Sequence, residues 1–74
     1  MRLNGMGKGQ KAKIAKLHTD GKLLQKLLDM GFVRGTEIEV VREAPLFDPM
    51  ELKIQGYNIT LRKSEAGLIE MSGR

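Results

Sequence analysis

The stretch LLDMGFVRGTEIEV, residues 27–40, decides the fold because its hydrophobic period changes partway through. Leu27, Leu28 and Met30 keep the spacing of one helix face, whereas Ile38 and Val40 alternate as in a half-buried strand. Gly31 and Gly35 bracket the change, with Phe32, Val33 and Arg34 between them. Gly31 reads as the left-handed residue that ends a helix, a conformation that a side chain resists. Gly35 reads as the positive-φ residue of a turn that opens the strand. Phe32 then closes the core beneath the corner. Arg34 is held outward, solvated by default and free to meet a partner.

Working back from the corner, TDGKLLQKLLDMG (19–31) forms the helix. Leu23, Leu24, Leu27, Leu28 and Met30 fall within an arc of about 160°, with Lys22, Gln25, Lys26 and Asp29 opposite. Thr19 or Asp20 is placed to accept hydrogen bonds from the first free amides. Before it, KAKIAKLH (11–18) alternates as a strand, with Ala12 and Ile14 on one face and Lys11 and Lys13 on the other. The alternation slips at Ala15-Lys16-Leu17, as at a bulge or a strand end.

Working forward, the strand within VRGTEIEVVRE (33–43) turns Ile38 and Val40 inward and Glu37, Glu39 and Arg42 outward. The pair Val40-Val41 breaks the alternation, so the strand bends there or exposes one valine. APLFDP (44–49) is a loop or hairpin tip, since neither proline can donate to a ladder. MELKIQ (50–55) and NITLR (58–62) alternate as strands, and Gly56-Tyr57 is read as a tight two-residue turn with glycine first. Ser64 is read as the cap of one helical turn through Glu65 and Ala66, which Gly67 releases, and LIEM (68–71) is a last short strand. The order predicts a mainly β domain with one helix inserted after the first strand, folded as a small, strongly bent, five-stranded antiparallel barrel. Residues 1–9, with Gly5, Gly7 and Gly9, are read as a flexible N-terminal tail, and residues 10–74 as the domain.

At 74 residues there is room for one such domain, which buries only about 60 % of the surface of its unfolded chain. There is no cysteine, so disulfides and thiolate metal sites are excluded, as suits a reducing, cytoplasmic setting. No run approaches the roughly 20 apolar residues of a membrane-spanning helix. MRLNGMGKGQ lacks the apolar region of a signal peptide, and Arg2 stands where N-myristoylation needs glycine. The expectation is a soluble cytoplasmic protein.

The net charge of +4 is uneven: residues 1–26 carry +6 and residues 27–74 carry −2. Lys11, Lys13 and Lys16 could track phosphates, which gives the alternative reading of a small basic nucleic-acid-binding barrel. Against it, Phe32, Phe47 and Tyr57 are the chain's aromatics, and core roles are expected for Phe32 and Tyr57, so a stacking platform is missing. GKGQKAK lacks the Ser or Thr of a phosphate-binding loop. His18 is the single histidine, so neither a His cluster nor a catalytic triad is available, and the chain is not expected to be an enzyme. Glu37 and Glu39 share a sheet face, where pairing with Lys53 is favoured over holding a hard cation. Leu46 and Phe47 sit between prolines: exposed, they would anchor a partner protein, and folded back they would plug the barrel.

The span LLDMGFVRGTEIEVVREAPLFDPMELKIQGYNITLRKSEAGLIEM resembles the ferrous iron transport protein A (FeoA) family. The likeness lies in the leucine-rich helix running into Met30-Gly31-Phe32, Gly35-Thr36 and the acid-rich strand. It continues through Pro45, Asp48-Pro49, the strands about Gly56-Tyr57, Leu61-Arg62 and Ala66, to Ile69. It covers residues 11–72. The resemblance implies an SH3-like barrel and a non-enzymatic accessory role in bacterial ferrous iron uptake. The implied partner is the cytoplasmic part of the membrane GTPase transporter FeoB, with peripheral placement at the inner face of the plasma membrane through it. Arg34, Arg42, Leu46, Phe47, Asp48 and Arg62 are the candidate partner-binding residues, and a homo-oligomer is compatible with an open edge strand. No cofactor is required: with one histidine and no cysteine the chain lacks the ligands that ferrous iron prefers, which leaves room for weak transition-metal binding only.

Overall fold

The computed structural model describes residues 1–43 and 48–72. Its elements are β1 (Lys11–Leu17), α1 (Gly21–Asp29), β2 (Glu37–Glu43), β3 (Met50–Ile54), β4 (Tyr57–Leu61), α2 (Lys63–Ala66) and β5 (Ile69–Met71). The strands form one antiparallel sheet in the order β4-β3-β2-β1-β5. The bend needed to curl so small a sheet lies in β1. Its first half, Lys11 to Lys13, pairs with β2, and from Ile14 onward it pairs with β5 across a register shift between Ile14 and Lys16. The slip in alternation at Ala15 is therefore a bulge that hands the strand from one neighbour to the other. A second register shift lies between Val40 and Arg42, at the Val40-Val41 pair, and Val41 is half-buried.

The corner between α1 and β2 closes as its glycines require. Gly31 has φ +100° and Gly35 φ +89°. The Gly31 N–H donates to the Leu28 carbonyl and the Phe32 N–H to the Leu27 carbonyl, each at 3.0 Å. This is the paired helix-ending pattern that needs a left-handed residue between. It swings Phe32 under the helix, where Phe32 and Leu27 are both fully buried. The corner is then tied to β1, because the Gly35 N–H donates to the Ile14 carbonyl (2.8 Å) and the Ile14 N–H to the Thr36 carbonyl (2.9 Å).

Several expectations are corrected. Residues 1–9 are not a loose tail. Leu3–Gly5 form a 3-10 turn, and Leu3 and Met6 are buried in the core. Their spacing of three sets both on one side of the turn, which packs against α2 and β5. The Met71 N–H donates to the Met1 carbonyl (2.6 Å), Arg2 bridges to Glu70 in the sheet, and the Gly9 N–H donates to the Val40 carbonyl (2.8 Å). The β3–β4 turn is Gln55-Gly56, one residue earlier than read, with φ +49° and +85°; glycine comes second, as in a type I′ hairpin. Tyr57 is 70 % exposed rather than in the core. It shares a face with Ile59 and Leu61 but sits at the far end of an edge strand, beyond the packed side chains. Neither Thr19 nor Asp20 caps α1 with its side chain. At α2, Ser64 is not the cap. The Glu65 carboxylate accepts from the Arg62 N–H (3.3 Å), and the Asp48 carboxylate accepts from the Lys63 N–H (2.8 Å).

Candidate interaction surfaces

The predicted partner-binding residues fall on two faces. Arg42 lies on β2, Asp48 just before β3, and Arg62 between β4 and α2. Arg42 stands opposite Glu51 and pairs with it at 3.2 Å, and Asp48 reaches the amide that follows Arg62. Asp48 therefore ties the β3 entry to α2, a role the sequence did not show. Leu46 and Phe47 lie outside the described residues. Arg34 is exposed on the other face, on the α1–β2 corner.

At that corner Ala15, Lys16, Leu17, Leu28, Val33 and Arg34 line a groove of about 500 Å³. Leu28 is 38 % and Val33 45 % exposed. Sequence reasoning placed Leu28 on the buried helix face and gave Val33 no role. A signal was present: five apolar positions span a wider arc than a thin core covers, and Leu28 stands at its rim while Leu27 stands nearer its middle.

The lysines of the alternative reading are exposed but divided. Lys11 stands opposite Glu39 and Lys13 opposite Glu37, and Glu39 in turn stands opposite Lys53. Lys11, Glu37, Glu39 and Lys53, with Thr36, Gln55 and Gly56, line a recess of about 390 Å³ whose charges alternate in sign. Lys16 belongs to the groove instead. Among the described residues, no three His, Cys, Asp or Glu side chains stand together as a metal site. No helix there is long and apolar enough to cross a membrane.

His18, read as a surface histidine at a strand end, is engaged: its Nε2 lies 2.6 Å from Glu70 Oε1. The hydrogen bond from His18 holds the Glu70 carboxyl below the ordinary range. Partial desolvation opposes this, and the charges of His18, the N-terminal amine and Arg2 add to it. A carboxyl depressed in the fold contributes stability above its unfolded pKa of about 4.3 and loses it as pH falls through the folded value. His18→Ala should bring the Glu70 titration, followed by carboxyl carbon NMR, back up toward ordinary values. An unchanged Glu70 midpoint would show that the pair does not act in solution.

The strand order and the bent first strand define a small antiparallel barrel of the SH3-like kind. The FeoA domain model matches residues 1–72, and the chain belongs to the FeoA family. The iron(II) transport protein A of Clostridium thermocellum is 52 % identical in sequence and superposes with a TM-score of 0.93, over 96 % of this chain and 44 % of that one. The FeoA of Stenotrophomonas maltophilia, described as an SH3 domain protein, superposes with a TM-score of 0.83 at 24 % identity, over 97 % of this chain and 89 % of that one. A fusion of Fe(2+) transport protein A with the Fe(2+) transporter FeoB in Porphyromonas gingivalis is 41 % identical over 71 residues, 96 % of this chain. The chain spans 8 % of that protein's length.

Proposed function

We propose that this chain is a non-enzymatic accessory module of ferrous iron uptake. It binds the cytoplasmic part of a FeoB-type transporter and sits at the inner face of the membrane through that partner. The observation that carries this reading is the fused relative, in which a domain 41 % identical to this chain is covalently joined to FeoB. A tether raises the effective concentration of two parts that work together, which is how an interaction between separate chains comes to be replaced by fusion. In the nucleic-acid alternative, Lys11 and Lys13 would have to hold phosphates while facing Glu39 and Glu37. The module reading asks nothing of those lysines.

In this role iron is the transporter's cargo, and the chain itself holds it at most weakly. Calorimetry tests both halves. Titration with the cytoplasmic portion of FeoB from the same organism should give saturable heat. Titration with ferrous ion alone under argon should give no tight one-to-one isotherm. Tight ferrous binding would overturn the second half, and a flat FeoB isotherm at 100 µM would overturn the first.

A further inference from the structure

We propose that the groove of Ala15, Lys16, Leu17, Leu28, Val33 and Arg34 docks an acidic segment of the partner protein that presents one or two aliphatic side chains. The proposal rests on the accessory role above and names the face that would carry it. Four large hydrophobic side chains are markedly exposed among the described residues, and two of them, Leu28 and Val33, meet here. Water-exposed aliphatic carbon gathered in a concavity is the ordinary mark of a contact site.

The charge at the rim is of one sign. Lys16 and Arg34 are the ionisable side chains of the lining, and no carboxylate lies among them. The acids nearest in register or sequence are occupied elsewhere. Glu70, opposite Lys16, is held by His18, and Asp29, beside Leu28, accepts from Gln25 Nε2 at 2.9 Å. Among the described residues neither Lys16 nor Arg34 has an ion-pair partner. A carboxylate brought by a ligand would meet two cations that no ion pair of the described residues engages. Such rim charges set register and speed association more than they add affinity.

The walls are fixed before anything binds. Gly35 and Thr36 tie the corner to Ile14, and the helix end is closed by the amides of Gly31 and Phe32. A preformed site loses little entropy on binding. The chemistry also excludes other occupants. Polyproline ligands dock in aromatic-lined grooves, and no aromatic lines this one. Anionic membranes are met by clusters of about four to eight basic residues, and this concave site offers two.

Three variants test the site: Val33→Asp, the charge reversal Lys16→Glu with Arg34→Glu, and Val33→Ile as the conservative control. All three positions are exposed, and circular dichroism would verify the fold. The probes are the cytoplasmic portion of FeoB, the peptide acetyl-EELLEE-amide, its basic counterpart acetyl-KKLLKK-amide, and phosphatidylglycerol vesicles. Val33→Asp should weaken binding of the FeoB portion at least tenfold, the charge reversal should weaken it most at low salt, and Val33→Ile should leave it intact. The acidic peptide, but not the basic one, should move the amide resonances of residues 15–17, 28, 33 and 34. Undiminished FeoB binding by the variants, with those resonances unmoved by the acidic peptide, would overturn the groove and leave the accessory role standing. Response to the acidic peptide without FeoB binding would support the groove and overturn its assignment to FeoB. Response to vesicles alone would overturn the proposal in favour of a lipid surface.

Discussion

Phe32→Ala is expected to cost about 3–5 kcal/mol, the range for removing a fully buried aromatic side chain. Phe32 is 0 % exposed and stands where three parts of the molecule converge. Its amide closes the last turn of α1, its ring lies with Leu27 in the core, and the residues after it enter the groove and then β2. A domain of this length holds roughly 4–11 kcal/mol in total, so the variant would lose about a quarter of its stability or more. Urea denaturation followed by circular dichroism reads this directly. With a slope of roughly 1 kcal/mol per molar for so small a domain, the midpoint should fall by about 3–5 M, or the chain should be unfolded at the outset. Phe32→Leu should keep most of the loss from appearing, because it leaves little cavity. A midpoint shift for Phe32→Ala corresponding to less than about 1 kcal/mol, the usual scale of a half-exposed position, would contradict the buried placement.

Leu3→Ala carries the second largest expected effect, about 2–5 kcal/mol. It separates the two descriptions of the N-terminal segment. Substitutions in a loose tail stay within about 0.5 kcal/mol of neutral. Leu3 is instead fully buried, in a turn packed on α2 and β5, with Met6 beside it in the core. The same urea experiment decides the matter, and Asn4→Ala, at an exposed position of the same turn, serves as the control that should change little. Equal, near-neutral results for both variants would return residues 1–9 to a tail.

The parts of the fold that were legible are those written in backbone-specific residues and strict periods. Gly31 and Gly35 marked the corner because both positions need a left-handed backbone. Ile38, Leu52, Ile54, Ile69 and Met71 marked the core because alternation has one buried side. Even the two bends were visible, as breaks in alternation at Ala15 and at Val40-Val41. What was missed depends on tertiary partners. Leu3 and Met6 are two apolar residues among glycines, and only the surface offered by α2 and β5 makes them core. The Gln55-Gly56 turn shifted by one residue because the pairing of Ile54 with Tyr57, not local preference, sets the hairpin.

The candidate site was less legible for the same reason. Arg34 was picked out as outward, but its neighbours in the groove come from β1 and from the end of α1. No local pattern joins residues 15–17 to residue 28 and residues 33–34. Asp48 was chosen for its place in a suggestive loop, and its carboxylate instead accepts from the α2 amide of Lys63. The alternative reading set Lys11, Lys13 and Lys16 against phosphates. In the sheet, Lys11 and Lys13 face Glu39 and Glu37 from the next strand.

The proposed binding of this domain to FeoB can be followed residue by residue in solution. Isotope-labelled chain would be titrated with the cytoplasmic portion of FeoB from the same organism while its backbone amide resonances are followed. Saturable shifts are expected, clustered on residues 15–17, 28 and 33–34. Resonances that stay fixed through the FeoB titration, with salt-sensitive shifts of Lys11, Lys13 and Lys16 on adding DNA or RNA, would contradict that binding.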